Sequence, residues 1–223
     1  MDDLIKVDFH SHSQYSPDSL TRVENLIRRA RKVGLDRLVL TDHNTIQGAL
    51  IARDLAPDLI IVGEEIQTTS GEILAIFVTE QVPAKLSPLE TIERLKQQGA
   101  FISVSHPFDP YRSGWALEEL IELAPLVDAI ETHNARCWNP QFNQQAQAFA
   151  RQHDLPGTTG SDAHLLPELG GSYLQLPPFD SAAQLRQVIR QGESVGRYLP
   201  PLSRLGSRFA SLWNTLAAPF NRS

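Results

Sequence analysis

The stretch Ile5-Lys6-Val7-Asp8-Phe9-His10-Ser11-His12 decides the fold. It opens as a short apolar strand and closes on two histidines at alternate positions. In an extended chain alternate side chains leave on the same side, so His10 and His12 aim their rings one way. Ionisable residues delivered at the C-terminal end of a strand are what a β/α barrel gathers at its rim.

Moving outward, the pattern recurs. The periodicity of Val23, Leu26, Ile27, Ala30 and Val33 predicts a helix over 21–33, closed by Gly34. Residues 37–40 predict a strand ending at Asp42-His43, and residues 59–62 one ending at Glu64-Glu65. Residues 71–78 read as a hairpin arm beside it. Ser87-Pro88-Leu89-Glu90 is a helix start, with a capping serine, a proline in the first turn and a glutamate three residues after the cap. Further strands are expected at 101–104, 128–130, 157–160 and 173–176, and further helices from Asn139-Pro140 to about 152 and over 181–191. A strand-then-helix order implies a parallel α/β sheet. About seven units are too few for a regular eight-unit barrel, so a smaller or distorted barrel is expected.

With 223 residues, 41% of them hydrophobic, the chain is long enough for a sizeable core. No apolar run is long enough to cross a membrane as a helix, and Met1-Asp2-Asp3 lacks the layout of a signal peptide. One cysteine, Cys137, allows no internal disulfide, and a cytoplasmic location is expected. The net charge of −6 argues against non-specific nucleic-acid binding.

Five of the seven histidines fall at strand ends: His10, His12, His43, His106 and His164. Asp18 follows the first pair in a turn, Glu65 ends the third strand, and Asp162-Ala163-His164 repeats the alternate spacing. Zinc, manganese and iron accept such mixed imidazole and carboxylate ligands. With Asp42 these make nine candidates, which are too many for one ion and suit two or three, with Glu65 as a bridge. Such a site makes hydroxide from bound water near neutral pH and clamps the oxygens of a phosphoryl group. A lone histidine after a strand is ordinarily a surface or satisfied core residue. Recurrence at five or six strand ends changes that reading.

These motifs, taken in order, resemble the polymerase and histidinol phosphatase (PHP) family over roughly residues 5–195. They are Asp8-Phe9-His10-Ser11-His12 with Tyr15-Ser16-Pro17-Asp18, then Leu40-Thr41-Asp42-His43-Asn44 and Gly63-Glu64-Glu65-Ile66. Ser105-His106-Pro107, Asp128-Ala129-Ile130-Glu131 with Asn134-Ala135-Arg136, and Gly160-Ser161-Asp162-Ala163-His164 complete them. The resemblance implies a distorted seven-stranded (β/α)7 barrel, a two- or three-ion site of zinc, manganese or iron, and hydrolysis of a phosphate mono- or diester of a small substrate. It implies His10, His12, Asp18, His43, Glu65, His106, Asp162 and His164 as metal ligands, and Asp42 as a group that orients one of them or a bound water. Many family members carry another histidine between the equivalents of Glu65 and His106; Glu72 stands at the natural place here. Glu131 and His133, which alternation puts on one face, are candidates for a late ligand, with His133 read first as an ordinary rim residue. Arg136, and with less reason Arg112, are positioned past strand ends to hold a phosphate.

Other readings are a 3′–5′ exonuclease or nucleotide phosphodiesterase, with nucleic acid as substrate, and a non-catalytic metal-binding regulatory domain. An amidohydrolase is disfavoured because none of Lys6, Lys32, Lys85 and Lys96 ends a predicted strand to bridge metals. The chain divides at 196. By that resemblance residues 1–196 are expected to form a metallophosphoesterase domain, and residues 197–223 carry four arginines and no acid. Leu202, Leu205, Phe209, Leu212, Trp213, Leu216 and Phe220 predict a basic amphipathic helix there. It suits contact with the barrel, a partner subunit or an anionic membrane surface.

Overall fold

The computed structural model describes residues 4–112, 114–199, 210 and 214. Its strands are β1 (Ile5–Asp8), β2 (Arg37–Leu40), β3 (Ile60–Gln67), β4 (Glu72–Ile76), β5 (Phe101–Val104), β6 (Ala129–Asn134), β7 (Gly157–Gly160), β8 (Ser172–Leu176) and β9 (Glu193–Gly196). Its helices are α1 (Val23–Val33), α2 (Gln47–Leu55), α3 (Pro88–Gln97), α4 (Leu117–Leu123), α5 (Pro140–Gln152) and α6 (Ala182–Val188). All strands join one sheet in the order β7-β6-β5-β4-β3-β2-β1-β8-β9.

The sheet curls until its seventh strand meets its first. Phe9 N donates to Thr159 O at 3.2 Å, Asp162 N to His10 O at 2.8 Å, and His12 N to Ala163 O at 2.9 Å. Strands β1 to β7 therefore make the barrel that the sequence predicts. Two added strands, β8 and β9, pair antiparallel beside β1, and β8 pairs with its first half. The sheet also departs from parallel pairing at β4, the expected hairpin arm. This strand forms the predicted hairpin with β3 and is antiparallel to β5 too. Helices α2 and α4 were not read from the sequence, since their apolar stripes are short.

Alternation sorts the strand residues into two layers. One face packs against the helices: Leu38, Leu40, Ile60, Val62, Ile102 and Val104 share a cluster with Leu26, Ala30 and Leu95. Helix α1 supplies the buried face Val23, Leu26, Ile27 and Ala30 and ends at Gly34, whose φ of 76° suits the left-handed turn. Ser87 caps α3 as expected, accepting from Glu90 N at 3.2 Å. The other face fills the barrel. Its lower end is apolar, with Val7, Phe9, Val39, Ile61, Phe101 and Ala129 packed on Phe179 and Leu185. Upward the side chains become small and then charged. Along β3 the interior residues run Ile61, Gly63, Glu65, and along β5 and its extension Phe101, Ser103, Ser105. A Cβ at Gly63 would lie 2.7 Å from Val39 Cγ1, so the narrow waist of the barrel admits only glycine there. The apolar floor and the charged upper end are two ends of the same strands.

Most of the predicted C-terminal helix lies outside the described residues. Ala210 is helical and buried, and Asn214 Nδ2 donates to Pro17 O at 3.0 Å, so Asn214 touches the loop that carries Asp18. Among the described residues no helix is long and apolar enough to cross a membrane.

The floor carries a stability test. The Phe179 ring packs on Phe9 and Phe77 with centroids 6.4 and 6.1 Å away. Phe179→Ala is expected to cost about 3–5 kcal/mol, read as a lower urea midpoint at unchanged slope.

Candidate metal centre

The upper ends of the barrel strands bring all eight predicted ligands together. Glu65, 1% exposed, is at the centre. Its Oε2 lies 3.1 Å from His10 Nε2, 3.4 Å from His12 Nε2 and 3.2 Å from His43 Nδ1. Its Oε1 lies 3.1 Å from His106 Nε2 and accepts from Ser105 Oγ at 2.7 Å. One carboxylate thus touches four imidazoles from three other segments. Asp162 Oδ1 approaches His12 Nε2 at 3.4 Å, and Asp18 Oδ2 lies 2.8 Å from His164 Nε2 and 3.6 Å from His43 Nε2. Three overlapping groups hold donor atoms within 4.8 Å of one another: His10, His12 and Asp162; His12, His43 and His164; His43, Glu65 and Glu72.

Electrostatics show what charge this cluster demands. Burial opposes charge on Glu65 and Asp162, yet the neighbouring His10 holds both well below the usual carboxylate range. Burial likewise opposes charge on His10 and His43, but Glu65 first, with Asp162 and Glu131 around His10 and Asp18 beside His43, outweighs it. His10 is raised well above its ordinary value and His43 to about 10. His12, buried and facing the rings of His164 and His43, is pushed down to about 3. The carboxylates therefore demand positive charge, which protons on His10 and His43 supply. Divalent cations in place of those protons satisfy the same demand.

The donor set fits that substitution. His164 Nδ1 donates to the carbonyl of Asp162 at 2.9 Å, so a neutral ring turns the lone pair of Nε2 toward Asp18 Oδ2. Lone pair against carboxylate at 2.8 Å is attractive only with a proton or a cation between them. Asp18 Oδ1 and His106 Nδ1 are buried without a hydrogen-bond partner.

Behind the cluster, acceptors set the rings. Glu131 Oε1 accepts from His10 Nδ1 at 3.0 Å, and its Oε2 accepts from His106 N at 2.8 Å and Asn134 Nδ2 at 3.1 Å. Glu131 thus holds two site segments rather than facing the cavity. Asp42 is buried and accepts from Ser13 N and Ser13 Oγ, both at 2.6 Å, and from Ser16 Oγ at 3.0 Å. Ser16 Oγ in turn lies 3.0 Å from His12 Nδ1. Asp42 therefore reaches the site through Ser16 and orients His12, as carboxylates commonly do for metal-binding imidazoles. Ser13, Ser16 and Ser105 were missed from the sequence. Serine is common in loops, and only the fold shows which hydroxyls face inward.

Three predictions are resolved by geometry. Glu72 faces the cavity, with Oε2 3.5 Å from His106 Nε2. Strand β4 runs antiparallel, so its first residue, not its last, reaches the upper end. His133 does not join the cluster. A bulge between Glu131 and His133 breaks the alternation that would have aligned them. The His133 ring packs on Tyr198 at 5.3 Å, and Nε2 lies 3.4 Å from Ser172 Oγ. Arg112 and Arg136 both line the cavity. Arg112 donates to Asp162 Oδ2, to Asn134 Oδ1 at 3.0 Å and to Asp109 Oδ2 at 3.3 Å. Arg136 Nη1 donates to Glu168 Oε2 at 3.4 Å.

The cavity over the cluster measures about 170 Å³. A larger hollow of about 300 Å³ beside Thr79, Val82 and Gln98 holds no histidine. No lysine lines the cavity among the described residues.

A family model described as PHP domain matches residues 8–98, and one described as PHP-associated matches residues 140–194. Uncharacterized protein MJ1587 of Methanocaldococcus jannaschii is 35% identical over 144 residues, covering 59% of this chain and 82% of its own. Uncharacterized protein MJ0417 of the same organism is 34% identical over 175 residues, covering 77% and 70%. Among solved structures, PsfC from Pseudomonas syringae superposes with a TM-score of 0.68 at 18% identity, over 96% of this chain and 99% of that one. A candidate metal-dependent phosphoesterase from Bifidobacterium adolescentis gives 0.60 at 19% identity, over 71% and 87%. The lesion-specific endonuclease PfuEndoQ from Pyrococcus furiosus gives 0.63 at 18%, over 89% and 60%. At these identities the structures share the fold. With the two family matches and the relatives above 30% identity, this chain belongs to the PHP family.

Proposed function

We propose that the protein is a metal-dependent phosphoesterase that hydrolyses a small phosphate mono- or diester. The observation that carries this reading is Glu65, one buried carboxylate against four imidazoles. Membership of the PHP family and the overlapping donor groups support a metal-dependent hydrolase in general.

His10, His12, Asp18, His43, Glu65, His106, Asp162 and His164 would hold two or three zinc, manganese or iron ions, with Glu65 shared between them and Glu72 available for another. Mixed nitrogen and oxygen donors suit all three metals. When bound, such ions supply a hydroxide nucleophile near neutral pH and neutralise phosphoryl oxygens. The chain's own groups do the rest. Asp42, through Ser16, sets the His12 ring, and Glu131 sets His10. Arg136 and Arg112 present guanidinium groups to a phosphate and to the charge that develops on it. Asp162 and Glu168 hold those arginines against the cavity. The small volume keeps bulk water from the reacting phosphorus once a phosphoryl group fills it.

Metal-stripped protein reloaded with manganese or zinc is expected to cleave an aryl phosphate or one of a nucleotide and oligonucleotide panel. No turnover of any of these by fully loaded protein sinks the reading. Glu65→Gln should reduce turnover to background and lower the metal retained per chain after dialysis. Asp42→Asn should weaken metal affinity about 10–100-fold while leaving the cavity residues in place, checked by competition with a chelating dye. Arg136→Ala should raise KM by roughly tenfold or more, as expected for loss of a charge-assisted contact, with a smaller change in kcat.

A further inference from the structure

Two large aromatic side chains stand exposed on the loops that carry two of the cavity residues, Arg112 and Arg136. Tyr111 is 72% exposed and Trp138 49%. Their ring centroids lie 5.7 Å apart with the planes tilted by 56°. They come from different loops, Tyr111 from the segment after β5 and Trp138 from the segment after β6. Single exposed apolar residues need no explanation, but two rings brought together from separate loops form a contact surface.

That surface is held in place. Asp109 is 1% exposed, and its carboxylate accepts from Tyr111 N at 3.1 Å, Trp138 N at 3.4 Å and Arg112 Nε at 3.3 Å. One buried carboxylate thus ties the backbones of both ring-bearing residues to the arginine that reaches Asp162. Tyr111 precedes Arg112, and Trp138 follows Arg136 by two residues, so each ring sits on the same short segment as a guanidinium lining the cavity.

The cavity volume points the same way. About 170 Å³ is well below the ~300 Å³ at which pockets begin to enclose a whole small ligand. It suits a phosphoryl group and little more. The remainder of an ester must extend out of the cavity, past arginines whose neighbours are Tyr111 and Trp138. Flat aromatic faces bind flat rings, and every nucleobase has such a face.

We propose that Tyr111 and Trp138 form a stacking subsite for the planar base of a mononucleotide whose phosphate enters the metal-donor cavity. The proposal rests on the phosphoesterase reading and adds the substrate class. A mononucleotide is favoured over a polymer because the chain's net charge is −6, whereas proteins that track a nucleic-acid strand use a positively charged groove.

The test uses the full chain loaded with manganese and two ligands that cannot be cleaved, the methylenephosphonate analogues of adenosine 5′-monophosphate and of ribose 5-phosphate. Calorimetry is expected to show the adenosine analogue binding roughly 5- to 150-fold more tightly, the range that a stacked base contributes. Tyr111→Ala and Trp138→Ala should each erase much of that difference and leave the ribose analogue within about twofold, while Trp138→Phe should keep most of it. Equal affinities in the wild type, or equal losses for both analogues in the alanine variants, overturn the subsite. The two readings fail separately. Turnover of phosphate esters with no preference for a base overturns the subsite alone. Tight, ring-dependent binding with no turnover of any ester overturns the phosphoesterase reading and supports the ring contact.

Discussion

The seam where the end of β1 meets the end of β7 is the interaction on which the rest depends. Backbone bonds from Phe9 N, Asp162 N and His12 N cross it, and Asp8 Oδ1 adds acceptors for His10 N and Ser161 N. Closure brings His10-Ser11-His12 beside Asp162-Ala163-His164, segments some 150 residues apart in the chain. Asp162 adopts a φ of 52°, a left-handed backbone that few non-glycine residues accept. The turn it makes lets Asp162 and His164 face the same cluster from consecutive sides. Gly160 sits against the seam because a Cβ there would lie 2.3 Å from His10 Cβ.

Closure also concentrates charge. Glu65, Asp162, Asp18 and Glu131 are brought among five imidazoles in a space largely closed to water. Buried carboxylates without compensation are costly. The cluster is tolerable only with protons or cations among its ligands, so any cation bound at this end of the barrel would add to folding stability. The opposite end carries no such demand. Its filling of Val7, Phe9, Val39, Phe101 and Phe179 is apolar, and it supplies stability while the upper end concentrates charge.

The residues differ in how legible they were. His10, His12, His43, Glu65, His106, Asp162 and His164 could be picked out because each follows an apolar run that reads as a strand. Glu72 was uncertain because the rule of strand ends assumes parallel strands, and β4 is reversed. His133 was grouped with Glu131 by simple alternation, which a one-residue bulge defeats. Arg112 looked no better than an exposed arginine until the loop after β5 folded back onto Asp162. Asp109 and Glu168 gave no signal at all. An acidic residue in a loop is ordinarily solvated, and only the packed loops make these two carboxylates buried anchors.

The ordered motifs by themselves determined the family, the α/β barrel and the eight donors that cluster at its upper end, because strand periodicity and strand-end placement are local properties of the chain. The tertiary structure decided that seven strands close while β8 and β9 are added, that Glu72 is in and His133 is out, and that Asp42 acts through Ser16. It also decided that Tyr111 and Trp138 meet. Each of those outcomes depends on strand direction, a bulge or the meeting of distant loops. These are set by how the whole sheet curls and closes, and no local window of sequence encodes them.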